Sequence, residues 1–339
     1  MSGVAPIRLG VLGVGRIGRM HAELVARRVP GLALAAVFDV NDEAARNVAG
    51  ELGVDAAPSA EELMQRDDVD AVAICTSTDT HVDLLVAAAT TGKPVFLEKP
   101  ISLDLTEVDR GLAAADGAGL FVQIGFNRRF DPAHRSVRDA VASGEIGDVH
   151  LVRISSRDPS PPPLDYLRVS GGIFLDMTVH DFDMARYVTG SEIEAVYARG
   201  EVRVDPAIGE AGDLDTAVVV LRHESGALTT IDNSRRAVYG FDQRVEAFGS
   251  NGMATSENPL AHTGLRRTAD GTHAATLPHF FLERYVPSYL AEWEAFERAV
   301  RSGGPSPVPG AESRAPLVIG LAAWRSVREG RPVRTTEIG

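Results

Sequence analysis

At 339 residues and 44% hydrophobic content the chain can build two cores, taking roughly 150 residues per domain. A net charge of −13 leaves no sequence-wide basic footprint for nucleic acid or an anionic membrane, and no run of about 18 apolar residues could span a bilayer. The opening MSGVAPIRLG lacks the charged-then-apolar layout of a secretory signal, so the expectation is a soluble, cytoplasmic protein that acts on a small molecule, with no nucleic-acid or membrane partner.

Short β-rich runs at Arg8 to Leu12, Ala33 to Phe38, Ala71 to Cys75, Pro94 to Leu97 and Leu120 to Gly125 alternate with helical stretches at Asp42 to Leu52, Ala60 to Gln65, His81 to Thr90 and Leu105 to Asp116. This alternation predicts an α/β domain over residues 1–126, with a parallel sheet covered on both faces and ligands bound beyond the carboxyl ends of its strands. Those ends carry Gly13, Asp39, Thr76 to Thr80 and Glu98 to Pro100. The first turn reads VLGVGRIGRMHA, with Gly13, Gly15 and Gly18 in G-x-G-x-x-G spacing ahead of a helix. In a Rossmann turn the first glycine permits the tight bend, the second removes a side chain that would block a pyrophosphate, and the third lets helix and strand pack closely. The pyrophosphate then rests on a helix N-terminus, where free N–H groups favour negative charge.

Asp39 ends the second strand, 21 residues beyond Gly18. A carboxylate there accepts hydrogen bonds from both ribose hydroxyls and repels a 2′-phosphate, so the predicted cofactor is NAD rather than NADP. Helix N-capping beside Asn41 and Asp42 is the competing role for Asp39. The single cysteine, Cys75, excludes an intrachain disulfide and a Cys-cluster zinc site, and its place in the apolar run AVAIC reads as a buried small residue.

After about Phe126 the pattern changes to VHLVRISSR (149–157), EAVYARGEV, TAVVVLRH, ALTTIDNSRR and QRVEAFGS, with Gly-containing breaks between them. Residues 127–339 are therefore expected to form an α+β domain with a large open, mainly antiparallel sheet. The proline-rich loop Asp158 to Leu164 cannot pair as a central strand and reads as a stiff surface segment just before the densest polar cluster. Leu290, Trp293, Phe296 and Val300 follow helical spacing as a core stripe, and a final helix is expected over roughly Pro316 to Arg328, free to pack back on the first domain.

Oxidation of an alcohol needs a base for the hydroxyl proton and a cation or donor for the developing alkoxide. Lys99, in Glu98-Lys99-Pro100, would project a cation at the predicted cofactor rim, an ordinary solvated lysine being the competing reading of the motif by itself. Asp176 and His180, in GGIFLDMTVHDFD (171–183), are four residues apart and would share one helix face, where a carboxylate can select the imidazole tautomer. Asp176, His180 and Asp183 are also oxygen and nitrogen ligand types, but Cys75 belongs to the other core and zinc alcohol dehydrogenases use at least one thiolate, so no metal is expected.

GVGRIG, CTSTDTH, EKP, GFNRRFDP and GGIFLDMTVHDFDMARY, followed by FLERYVPSY (281–289), occur in an order similar to that of the Gfo/Idh/MocA oxidoreductase family over nearly all of the chain. The resemblance implies NAD-dependent oxidation of a cyclic polyol, myo-inositol at its axial 2-hydroxyl, to the 2-keto sugar. Another polyol or sugar substrate, such as scyllo-inositol or an aldose, and an NAD-binding sensor without turnover are the alternatives. It implies Lys99, Asp176 and His180 as the catalytic set, with His180 as general base. Gly13, Gly15, Arg16, Ile17, Asp39, Thr76, Ser77, Thr78, His81, Glu98, Lys99 and Asn127 would then line the cofactor. Asn127, Arg128, Tyr239 and Tyr285 would join the catalytic three around the substrate. A cis Lys99–Pro100 bond and a homotetramer are implied as well.

Overall fold

The computed structural model describes residues 5–339, which divide into two compact units. One holds the chain through Asn127 together with Tyr289–Ala315, and the other holds Arg128–Ser288 with Pro316–Gly339.

The first unit is built on a six-stranded, all-parallel sheet in the order Asp55–Ala56, Leu32–Phe38, Ile7–Leu12, Ala71–Ile74, Val95–Leu97, Val122–Ile124. Every residue of Ala71–Ile74 and Val95–Leu97 is buried, as strands must be when helical crossovers cover both faces of a sheet. The five predicted strands are present. The sixth, Asp55–Ala56, is a two-residue edge strand without an apolar run to announce it. Strand order reverses between Ile7–Leu12 and Ala71–Ile74, so the crevice beyond their carboxyl ends is the place where doubly wound sheets take ligands.

Trp293 and Phe296, both fully buried, complete this core, with Trp293 stacked at 4.4 Å on Phe96 and 5.4 Å from Phe296. The segment that rejoins the first unit is thus Tyr289–Ala315 and not the last helix. From Pro316 onward the helix Arg314–Glu329 belongs to the second unit, where Ile319, Ala322 and Ala323 enter the core with Phe174 and Phe182.

The second unit carries a seven-stranded sheet in the order Gly252–Ser256, Asp242–Gly249, Val149–Arg157, Leu228–Ser234, Thr216–His223, Ile193–Glu201, Val333–Arg334. Only Leu228–Ser234 and Val149–Arg157 run parallel; the other pairings are antiparallel. Thr216–His223 shows the alternation of a sheet with one covered face: Ala217, Val219 and Leu221 are buried, whereas Val218 and Val220 are 53% and 37% exposed. No helix among the described residues is long and apolar enough to cross a membrane.

Candidate active site

In the first unit the glycine turn has the geometry its spacing requires. Gly13 adopts φ +85°, and a Cβ there would sit 2.7 Å from both the Cys75 carbonyl oxygen and the Thr76 nitrogen. A Cβ on Gly18 would lie 1.9 Å from the Gly13 carbonyl oxygen, so the helix Arg16–Arg28 approaches its strand only because position 18 lacks a side chain. Gly15 differs from both. Its backbone is extended, which any residue can adopt, and a Cβ would meet no protein atom within 4 Å. Neither packing nor backbone conformation explains a glycine at 15. Arg16 and Ile17 form the first turn of this helix, whose N-terminus has no side-chain cap and no acidic residue, the electrostatic setting of a phosphate site.

Asp39 braces the same turn. Its Oδ2 accepts the Val14 N–H at 2.8 Å and its Oδ1 accepts the Asn41 N–H at 2.9 Å. The helix Asp42–Leu52 is capped instead by Asn41, whose side-chain oxygen accepts from Glu43 and Ala44 at 3.1 and 3.2 Å. The carboxylate at 39 is therefore not the helix cap and remains at the strand tip, where the dinucleotide fingerprint needs it.

Thr76, Ser77 and Thr78 follow the strand Ala71–Ile74, and Thr80 Oγ1 lies 2.7 Å from Thr76 Oγ1. His81 and Glu98, expected at the cofactor, are turned into the protein. His81 is 1% exposed, with Nδ1 2.8 Å from the Pro100 carbonyl oxygen and Nε2 3.0 Å from that of Thr76. Burial pulls its pKa below the ordinary imidazole value. The ring ties the Thr76 loop to the Lys99–Pro100 segment, whose peptide bond is cis as the resemblance implies. Glu98 is 7% exposed and accepts N–H groups from His21 and from Lys99 itself. The apolar strand endings that precede these residues gave no signal of the inward turn. Lys99 is half-buried, and Asn127, the last residue of this unit, is 3% exposed.

The second unit gathers a different set. Gly172–Asp176 is a short helix, and Val179–Thr189 follows it. The Thr178 N–H reaches the Ile173 carbonyl five residues back at 2.9 Å, a π-type wide turn. Asp176 therefore ends one helix and His180 lies in the first turn of the next, which corrects the expectation of one shared helical face. Asp176 Oδ1 accepts the Tyr166 hydroxyl at 2.8 Å, and Oδ2 lies 3.3 Å from Arg235 Nη1. Arg235 is 1% exposed and reaches Asp213 Oδ2 at 3.2 Å through Nη2. Asp213 Oδ1 in turn accepts the Ile173 N–H at 2.8 Å. One guanidinium thus secures the short helix at its first turn and at its last. A Cβ on Gly172, at φ +76°, would stand 2.6 Å from both Asp213 Oδ1 and the Trp324 ring.

Arg128 is 7% exposed and donates through Nη1 to Asp181 Oδ1 at 2.7 Å and Ser156 Oγ at 3.1 Å. Asp181 is fully buried; burial pushes its pKa up, while Arg128, the Ser156 hydroxyl at 2.5 Å and the Asn233 amide at 2.7 Å hold the charge. Sequence reasoning missed Asp158. Burial raises its carboxyl to about 6, with Asp176 and Asp181 adding to the rise and Arg235 and Arg128 opposing it. Its backbone is pinned by Ser234 and Ala237 at 2.9 and 2.7 Å. The available signal was its position as the first residue after the strand Val149–Arg157, facing the motif that the proline loop precedes.

Two predicted substrate residues take other places. Tyr285 is 2% exposed, its hydroxyl 3.3 Å from His134 Nε2 and its ring 5.9 Å from the Arg128 guanidinium, so it supports Arg128 from below and offers no ring face of its own to a sugar. Tyr239 donates to Asp242 at 2.7 Å and accepts from Arg157 at 2.9 Å on the sheet surface. Among the described residues no group of three or more His, Cys, Asp or Glu could hold a metal ion.

Comparison with known proteins matches residues 7–126 to "Oxidoreductase family, NAD-binding Rossmann fold" and residues 134–255 to "GFO/IDH/MocA C-terminal domain". A myo-inositol 2-dehydrogenase of Thermotoga maritima is 49% identical over 98% of this chain and 99% of its own. The crystal structure of a probable dehydrogenase from Thermotoga maritima superposes with a TM-score of 0.96 at 49% identity, covering 98% of this chain and 100% of that one. A scyllo-inositol dehydrogenase from Lactobacillus casei, solved with NAD(H) and scyllo-inositol, gives a TM-score of 0.91 at 29% identity over 98% and 99% of the two chains.

Asp39→Asn keeps an acceptor for the Val14 N–H but removes the charge. NADH affinity should fall about tenfold and the preference for NADH over NADPH should narrow, read by fluorescence titration with both; an unchanged preference removes Asp39 from cofactor selection. His134 is buried against Ser256 Oγ at 2.7 Å, and burial lowers its pKa to about 4. Below an unfolded pKa of about 6.5 the unfolded chain takes up a proton that the folded one refuses, so this residue costs stability as pH falls from about 6.5 towards 4. Thermal melts across that window should decline less steeply for His134→Gln than for the unaltered protein.

Proposed function

Because the chain belongs to the GFO/IDH/MocA family of oxidoreductases and carries its NAD-binding Rossmann domain, we propose that it oxidises myo-inositol at the axial 2-hydroxyl to the 2-keto sugar. The observation that carries this reading is the cluster of Asp158, Asp176, Arg235, Arg128 and Asp181 in the second unit. Asp158 and Asp176 bring carboxylates to this region, chemistry that suits a ring bearing a hydroxyl on every carbon, while Arg128, Asp181 and Arg235 form the buried polar frame behind them. The uncapped helix N-terminus, the open flank of Gly15 and the carboxylate of Asp39 fit NAD in the first unit.

When bound, NAD supplies the hydride acceptor. His180 takes the hydroxyl proton as general base, and Asp176, steadied by Tyr166 and Arg235, orients it and the substrate. Lys99 steadies the charge that grows on the oxygen as the carbon-bound hydrogen departs with the bonding pair, while the hydroxyl proton passes to His180. Asn127 and Arg128 complete the set by positioning the ring. The reaction calls for no metal.

Scyllo-inositol is the second reading, supported by the Lactobacillus casei relative. The chain is further proposed to work in the cytoplasm, in inositol catabolism, as a homotetramer. Register places Val218, Val220, Leu228, Phe248 and Met253 on one open sheet face, and each is more than a third exposed, an apolar surface suited to self-association.

An assay following NADH formation with myo-inositol, scyllo-inositol and aldoses tests the substrate: myo-inositol should give the highest kcat/KM, and absence of NADH with every inositol overturns the reading. Lys99→Ala and His180→Ala should each lose about a hundredfold or more in turnover while retaining NADH binding by fluorescence. A near-normal rate in either variant overturns its assigned role.

A further inference from the structure

The first unit buries a chain of groups that the proposed chemistry leaves unused. His21 is fully buried on the helix Arg16–Arg28, its ring edge-on to Phe96 at 5.1 Å and to Tyr289 at 5.4 Å. The Trp293 indole N–H donates to its Nδ1 at 2.9 Å. An indole nitrogen can only donate, so Nδ1 must offer a lone pair and the ring proton must sit on Nε2. Nε2 lies 2.9 Å from Glu98 Oε1 and donates to it. Glu98 Oε2 accepts the main-chain N–H of Lys99 at 3.2 Å. Each link thus has one direction: the indole donates to the imidazole, and the imidazole and the Lys99 main-chain N–H both donate to the Glu98 carboxylate.

We propose that His21 is a positioning residue for Lys99: Trp293 fixes its tautomer, and the Nε2–H of that tautomer orients the Glu98 carboxylate that pins the Lys99 main chain. This inference rests on the reading of Lys99 as the group that steadies the reacting oxygen. Its geometry lies wholly within the first unit.

Other buried titratable groups surround this chain. Glu292, one residue before Trp293, is fully buried; burial, with Glu98 nearby, holds its carboxyl well above the ordinary range. The Gln123 amide donates to its main-chain carbonyl at 3.3 Å. The Cys75 thiol is likewise pushed up by burial and by Glu98 and Glu292, so it sits in the cluster as a thiol. With the indole N–H on Nδ1, the imidazole meets Glu98 as a neutral donor through Nε2.

The test combines nitrogen NMR of the histidine rings with kinetics on the full chain. The His21 signal, assigned by its loss in His21→Gln, should show the Nε2–H tautomer from pH 6 to 9 without bound cofactor; an Nδ1–H tautomer or an imidazolium in that range overturns the proposal. Trp293→Phe should release that tautomer. His21→Leu should lower kcat about ten- to a hundredfold with NADH affinity within about twofold of normal, the signature of a displaced catalytic group and not of a damaged cofactor site. His21→Gln can accept from the indole through its oxygen and donate to Glu98 through its NH2, and should recover most of the rate. Full activity in His21→Leu, or equal loss in the Gln and Leu variants, overturns the proposal. Should Trp293→Phe fail to fold, the unaltered spectrum and the two His21 variants still decide it. If the unaltered enzyme turns over no inositol, the functional reading fails while the tautomer measurement stands apart from it.

Discussion

A carboxylate taken out of water must be met by donors or a cation, and that requirement organises both units. Asp181 is met on every side, by Arg128, Ser156 and Asn233, and becomes a fixture of the fold. Asp213 and Asp176 share Arg235 and draw further donors from Ile173 and Tyr166. Glu98 is met by His21 and the Lys99 N–H. Asp158 stands apart, because burial raises it to about 6 with Arg235 and Arg128 only opposing the shift. A carboxyl that titrates near 6 is the member of the cluster whose hydrogen-bonding role can change between donor and acceptor.

How much of this was legible in the sequence depends on how local the physics is. The glycine turn was readable because its constraint is a backbone distance set by neighbouring residues: Gly13 needs φ +85°, and Gly18 must clear the Gly13 carbonyl. The strands of the second unit were readable because alternation reports a one-sided sheet, and Val149–Arg157 and Thr216–His223 stand where their apolar period put them. Long-range capture was not readable. Nothing near Trp293 announces a partner 272 residues away, and Glu98 and His81 look outward when judged by their place at strand and loop ends. Tyr285 in a polar-looking motif proved to be core, since aromatic residues bury whenever the hydroxyl finds a partner, here His134. Asp158 was passed over because four prolines follow close behind it and mark a surface loop, while the residue itself is held under that loop by strand hydrogen bonds.

The interruption between Asp176 and His180 sits among buried polar groups. Asn233 Oδ1 accepts the Thr178 hydroxyl at 2.7 Å and its Nδ2 donates to Asp181 at 2.7 Å. One amide thus holds the residue two before His180 and the residue just after it, and the strand Leu228–Ser234 that carries Asn233 sets their height above the sheet. The wide turn lies ahead of Thr178, so Thr178 and Asp181 reach that amide from one helical turn while Asp176 stays behind with Arg235 and Tyr166. The first turn of the helix that carries His180 is therefore tied to the sheet beneath it through Thr178 and Asp181. A spacing that looks like one helical face is better understood as two short helices, each fastened to the sheet by its own buried polar contact.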